Sequence, residues 1–250
     1  MMNTLLKVSG LSYRYPRRGL VLDNVDFHLN SGERVALTGA NGAGKTTLLH
    51  LLVGLKKAKS GEIFAFGEVR KDEKSFVDVR ARAGFLFQDP DDQLFCPTVI
   101  EDVAFGPLNL GKSRAEALQI ASDTLASLGM AGFEERITHQ LSGGEKRMIT
   151  LAAVLAMEPE VLLLDEPSNA LDTKARQHLI DTLKTLPQAM IIISHDADFL
   201  EQLATREVRL EEAKLIAVAG ADKGTEPPIE IVPEIVSKRA VEQIPENESA

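Results

Sequence analysis

Cysteine is almost missing from this chain: a single residue, Cys96, stands among 250. One thiol cannot close an internal disulfide, which suits a reducing compartment, and no second Cys or His nearby completes a metal site around it. Excess positive charge is also missing. Lys and Arg number 28 against 37 Asp and Glu, for a net charge of -9, and no basic stripe interrupts that balance. An extended nucleic-acid footprint is therefore excluded as an expectation. Apolar runs long enough for a membrane are absent: "VLLLD" and "AMIIIS" fall far short of the roughly 20 residues that cross a bilayer. The first residues, "MMNTLLKVSG", carry no apolar signal-peptide core, so the expectation is a chain made and kept in the cytoplasm.

What is present suits one globular domain with an appendage, since 44% of residues are hydrophobic and 26% charged. Early segments, "TLLKVSGLSYRY" and "LVLDNVDFHLNSGERVALTG", interleave polar and apolar positions as half-buried strands do. From Thr46 the segment "TTLLHLLVGL" is apolar around most of a helix and predicts a helix packed inside the domain. A strand "AGFLFQ" and a loop "DPDDQLFCP" follow. Thr98 and Glu101 are spaced as a capping box, and residues 98–128 read as helical with a break at Gly106, Pro107 and Gly111. Strand "VLLLD", helix "TKARQHLIDTLKTL", strand "AMIIIS" and helix "DADFLEQLAT" then alternate, which calls for a parallel sheet covered on both faces. "EVRLEEAKLIAVAG" reads as a hairpin. Residues 223–250 are acidic and Pro-rich without sustained periodicity, and are expected to form a flexible tail beyond a domain spanning 1–222.

"GANGAGKT", running Gly39, Ala40, Asn41, Gly42, Ala43, Gly44, Lys45, Thr46, sits between an expected strand and an expected helix. That is the pattern of a P-loop, in which glycines let backbone N–H groups turn onto a polyphosphate and the helix end adds partial positive charge. Lys45 would neutralise the outer phosphates, and the Thr46 hydroxyl would take Mg2+. Thr47 completes the candidate cradle. Downstream, "VLLLDEP" buries four apolar residues and delivers Asp165 to a strand end, the edge where α/β sheets hold ligands, so its carboxylate is a candidate for Mg2+. Glu166 is expected to point the other way along the pleat. It is the candidate for polarising the attacking water, because general-base work needs a carboxylate beside the metal but not consumed by it. His195 and Gln88 also stand at expected strand ends, where they could reach the phosphate, the water or the metal. Taken alone, each reads more readily as structural: His195 as a structural histidine, Gln88 as a polar residue leaving a strand.

A further stretch, "LSGGEKRMITLAAVLA", opens a helix with no evident catalytic group. Ser142 and Glu145 have capping-box spacing, and alone that explains them.

Taken together, Walker A "GANGAGKT", Gln88, signature "LSGGE", Walker B "VLLLDEP", "SNALD" and His195 resemble the ATP-binding cassette (ABC) ATPases, over about residues 4–222 and in that family's order. The resemblance implies a P-loop α/β core with a parallel sheet, an N-terminal antiparallel β subdomain and an inserted helical subdomain at about 89–155. It implies ATP and Mg2+ as cofactors, Tyr15 stacking on adenine with Tyr13 as fallback, Gln88 sensing metal and transport partner, Glu166 activating water, and His195 as the switch histidine. It further implies that Ser142, Gly143, Gly144 and Glu145 address ATP bound to a second cassette, so that two chains sandwich two nucleotides. Ser168 to Asp172 would then communicate between the sites. Glu145 departs from the Gln more usual at that position. No Asn-Lys-x-Asp element for guanine appears, which disfavours a GTPase switch.

Residues 87–111, "FQDPDDQLFCPTVIEDVAFGPLNLG", are similar to the ATPase subunits of energy-coupling-factor importers for cobalt, nickel, biotin and other vitamins. That similarity implies a motor at the cytoplasmic face of the cell membrane, partnered by a second ATPase subunit, a transmembrane coupling subunit and a substrate-binding membrane subunit. Asp91 and Asp92 would lie in the groove that receives the coupling helices. Cobalt or nickel is the preferred cargo, with biotin or another vitamin as the alternative. A soluble ABC ATPase is the third reading, disfavoured by a single cassette without a long heptad insertion or basic linker.

Overall fold

The structure is a computed structural model that describes residues 3–17 and 19–218. Strands β1 (Thr4–Tyr15) and β2 (Gly19–Asn30) form an antiparallel pair, and β2 turns Val25, Phe27 and Leu29 inward while Asn24, Asp26 and His28 meet solvent. A short β3 (Arg34–Thr38) leads through the Gly-rich loop into α1 (Lys45–Leu52). Next come β4 (Ser60–Ala65), β5 (Glu68–Arg70), α2 (Glu73–Arg82) and β6 (Ala83–Leu86). Helices α3 (Val99–Asn109), α4 (Arg114–Ser127) and α5 (Gly143–Leu155) follow. The chain then alternates β7 (Val161–Asp165), α6 (Thr173–Thr185), β8 (Ala189–Ile193) and α7 (Ala197–Leu203) before the hairpin β9 (Arg206–Glu211) and β10 (Lys214–Ala217).

Two sheets result. One is antiparallel with order β2-β1-β4-β5; the other has order β10-β9-β3-β8-β7-β6 and is parallel from β9 to β6, with β10 antiparallel at its edge. The unbroken apolar run of β7 follows from burial on both faces. Leu162 and Leu164 enter the core shared with α3, α4, α5, α6 and α7, while Val161 and Leu163 enter the core shared with α1 and the antiparallel sheet. Met190 and Ile192 of β8 divide from Ala189, Ile191 and Ile193 in the same way. This is the mixed α/β architecture expected.

One helix differs from expectation. α3 runs straight through Gly106 and Pro107 and stops only at Leu110, ahead of Gly111 at φ 88°. Gly106 is there for packing, since a Cβ at that position would stand 2.5 Å from Met157 Cγ. The expected tail at 223–250 lies outside the described residues. Among the described residues, no helix is long and apolar enough to cross a membrane.

Candidate functional site

β3, β7 and β8 are adjacent parallel strands, so their C-terminal ends open on one edge of the sheet. There the chain leaves β3 into the loop Gly39–Gly44 and wraps a cavity of about 640 Å³, large enough for a nucleotide. The first loop residue has to be glycine for two reasons: its φ is 136°, and a Cβ would lie 2.3 Å from the Leu210 carbonyl oxygen of β9. Lys45 is buried at the start of α1, its ammonium donating to the carbonyls of Gly39 (2.7 Å) and Ala40 (3.2 Å). Burial lowers its pKa from the ordinary lysine value, with Glu166 and Asp165 pulling the other way. A triphosphate would supply the anions that this cation has only at a distance.

Asp165, 3% exposed, closes β7 on the face of α1. Burial raises its pKa, while a hydrogen bond with Thr46 and the charges of His50, Lys45 and Arg147 work against the rise. A buried carboxylate beside a threonine hydroxyl is a hard-oxygen pair of the kind Mg2+ takes. Glu166 differs from the simple pleat expected. Its φ of 48° puts it in a left-handed turn, so its carboxylate enters the same cavity as Asp165. Oε2 accepts the backbone N–H of His195 at 3.2 Å. Oε1 is buried with no hydrogen bond, and His195 Nε2 stands 3.3 Å away. Among the described residues that oxygen has no hydrogen-bond donor, which leaves a lone pair available for general-base chemistry. His195 itself is 53% exposed in its side chain.

Tyr15 lines the cavity, its hydroxyl 3.1 Å from Thr47 Oγ1 and its ring 5.3 Å below Lys56 Nζ. Tyr13 meets Tyr15 edge-on at 5.0 Å and packs against the core, leaving Tyr15 as the ring that faces the cavity. Asn41, Gly42, Gly44, Thr46, Thr47 and Gln88 complete the expected residues on its wall. Gln88 lies two residues beyond the end of β6, not on the strand.

Ser142, Gly144 and Glu145 do not line that cavity; Gly143 lines a second one of about 500 Å³ that shares Thr46, Gln88 and Asp165 with the first. The capping box forms: Ser142 N–H and Oγ–H both donate to Glu145 Oε2 at 2.8 Å. Arg136 adds a contact at 3.0 Å to Glu145 Oε1, and the Ser142 bonds hold the Glu145 carboxyl below its ordinary pKa. Gly144 is fixed by packing, since a Cβ there would stand 2.6 Å from Ala175 Cβ of α6. Gly143 is not: apart from its chain neighbours and its own helix backbone, nothing among the described residues lies within 4 Å of its would-be Cβ. In the Ser168–Asp172 segment, Asp172 caps α6 by accepting from Lys174 N (2.8 Å) and Ala175 N (2.9 Å). Asp91 does not stand free, because Lys146 of α5 donates to it at 2.6 Å.

Sequence reasoning missed His50, Lys56 and Arg147, and had Asn169 only as part of the Ser168–Asp172 segment, not as a wall of the cavity. His50 was findable, one helical turn after Thr46 on the same face. Lys56 and Asn169 reach the cavity from turns, and no periodic signal marks them.

The fold and site together define a nucleotide-binding cassette: a P-loop, a buried strand-end Asp-Glu pair, and a capped helix presented outward. The sequence family described as ABC transporter matches residues 22–169. A Brucella suis protein named as an ABC transporter ATP-binding protein is 54% identical over 86% of this chain and 89% of its own length. The energy-coupling factor transporter ATP-binding protein EcfA of Methanothermobacter thermautotrophicus is 42% identical over 85% of this chain and 70% of its own length. CbiO1 from Clostridium perfringens, part of the ABC transporter complex cbiONQ, superposes with a TM-score of 0.76 at 33% identity, covering 86% of this chain and 87% of that one. The dimeric cassette MJ0796 bound to ADP and Pi shares the fold, with a TM-score of 0.76 at 24% identity, over 86% of this chain and 100% of that one. This chain belongs to the ATP-binding subunits of ABC transporters and is an ABC ATPase.

Proposed function

We propose that this protein is the ATP-hydrolysing motor of a membrane importer of the energy-coupling-factor type, acting from the cytoplasmic face, with cobalt or nickel ions as cargo. The observation that carries the motor reading is the division of the site. The phosphate cradle and the Asp165–Glu166 pair line one cavity, while Ser142 lies outside it and Gly143, with open space where a Cβ would stand, lines the neighbouring one. A second cassette, another copy or a sister subunit, would bring its nucleotide to them. The helix end and its N–H groups would then meet a γ-phosphate.

Within each site, Tyr15 would stack on adenine, and the Gly39–Thr47 loop would hold the phosphates. Thr46, Asp165 and Gln88 would hold Mg2+, which supplies charge neutralisation at the transferring phosphate when bound. Glu166 would accept the proton of the attacking water, with His195 orienting it. Closure on ATP and reopening after hydrolysis would drive the membrane partner.

The importer reading is supported by the likeness to EcfA and CbiO1 and by the surface after Gln88. Phe95 (65% exposed) and Phe105 (44%) pack edge-to-face at 4.8 Å, and Leu108 and Leu110 are also exposed beside them. Asp92 adds negative charge nearby, and Asp91 meets Lys146 through Oδ1 alone while its side chain stays 65% exposed to a basic partner. Such an apolar patch with an acidic rim suits a short helix of a transmembrane coupling subunit. The cargo reading comes from the resemblance of residues 87–111; the solute would bind a membrane subunit, not this one.

Affinity purification of the chain from its own membranes in mild detergent, followed by mass spectrometry, tests the reading. A stoichiometric multi-span coupling subunit with a small substrate-binding membrane subunit is expected, and loss of both from a Phe95→Glu/Phe105→Glu variant. Recovery of soluble partners alone would overturn the importer assignment and leave the ATPase standing.

A further inference from the structure

Arg147, in the second turn of α5, is one of the largest fully buried side chains, only 2% exposed. Its guanidinium meets no carboxylate within ion-pair distance among the described residues; Asp89 and Asp165 act on it at longer range. Instead Nη1 donates to the Phe87 carbonyl at 2.7 Å and Nη2 to the Gln88 carbonyl at 2.6 Å, while Nε is left with no partner. A methionine or leucine would fill this volume without taking a charge out of water, so a buried fork spent on two main-chain oxygens is costly for packing alone. The two carbonyls belong to the chain just as it leaves β6 and delivers Gln88 to the nucleotide cavity. The same segment is held from its other side by Gln93, which accepts from Phe87 N–H (3.2 Å) and donates to the Phe85 carbonyl (3.1 Å). Further along, Lys146 holds Asp91. The helix that opens with Ser142 and Gly143 is thus bonded, through consecutive residues Lys146 and Arg147, to the loop that carries Gln88.

We propose that Arg147 is a positioning residue that locks the main chain of Gln88 to the signature helix, so that one chain places Gln88 at its own nucleotide and Ser142 at the other together. Gln88 then cannot settle on metal or water while its signature helix is out of place, which ties each site's readiness to the closure of the opposite one. This inference rests on the roles proposed above for Gln88 and the signature. The planar fork is what makes the lock directional, because it fixes two adjacent carbonyls at once where an ammonium would fix one.

The test is a double-mutant cycle on the full chain, reading kcat and KM for ATP in Arg147→Met, Gln88→Ala and the pair, with Arg147→Lys as the conservative variant. Arg147→Met should lower kcat about tenfold with KM moved less than about twofold, the pattern of lost placement and not of lost binding. Arg147→Lys should recover part of the rate, and the double variant should be no slower than Gln88→Ala alone. Should Arg147→Met fail to melt cooperatively, the same cycle run with Arg147→Lys decides by the same non-multiplicative criterion. Multiplicative losses, or a folded Arg147→Met at wild-type kcat, would overturn the inference while leaving Gln88 in its role. A Gln88→Ala enzyme at wild-type rate would instead overturn the reading of Gln88 beneath it.

Discussion

Two neighbouring carboxylates end β7 in opposite circumstances. Asp165 is buried against a threonine hydroxyl, whereas Glu166 is held in a left-handed turn with one oxygen unpartnered. A non-glycine residue at φ 48° is uncommon and is retained where its side chain must point somewhere particular. Replacing it by Gln keeps shape and removes the carboxylate proposed as the base. Glu166→Gln should therefore bind ATP with unchanged affinity and turn over at least about a hundredfold more slowly, measured by nucleotide binding and by phosphate release. For Asp165, burial puts the folded pKa above the ordinary 3.8. A raised carboxyl pKa means that its charge costs stability at neutral pH and that protonation relieves the cost, so acid does not unfold the protein through this group. If Asp165 holds Mg2+ as proposed, acid instead removes that ligand. The Mg2+ concentration for half-maximal turnover should rise as pH falls toward and through that raised value, beginning above the ordinary aspartate range. A Mg2+ requirement flat across the acid range would contradict the assignment.

At the scale of elements, the two glycines that open α5 separate structural from functional need. A Cβ on Gly144 would meet Ala175 at 2.6 Å, so Gly144→Ala should cost about 1–3 kcal/mol by overpacking, seen as a lower Tm. A Cβ on Gly143 meets nothing within 4 Å. Gly143→Ala should leave Tm unchanged or raise it, since alanine is the better helix former by about 1 kcal/mol, and yet slow turnover by crowding the approach of a nucleotide from outside. Much of this architecture was legible: β7 and β8 read as two-sided strands because their apolar runs are unbroken, and the P-loop declared itself between β3 and α1. α2 was not legible. It buries only Phe76 and Val79, and its capping box uses Asp72 and Ser75 in place of the Ser/Thr with Glu that marks α3 and α5. β4 and β5 are short and mostly exposed along β5, so period-two alternation never develops. Gly106 and Pro107 misled in the other direction, because a packing glycine against Met157 and a buried helix proline look in sequence like a break. In the site, Arg147 hid two residues past the signature, where a polar residue reads as solvent-facing until the loop behind it is known.

Across the whole molecule, the phosphate cradle lines one cavity and the start of α5 lies beyond it, with Gly143 lining the neighbouring cavity. In the function proposed above, ATP joins two chains, the start of each α5 completing the other's site. The most direct measurement is the mass of Glu166→Gln in solution by size exclusion with light scattering, with and without saturating ATP and Mg2+, alongside Glu166→Gln/Ser142→Tyr. ATP is expected to double the mass of the first variant and not of the second, whose bulk at Ser142 blocks closure while leaving ATP binding intact. A Glu166→Gln chain that binds ATP and stays monomeric at saturation, both alone and mixed with any sister ATPase recovered in the purification above, or a second variant that pairs equally well, would contradict it.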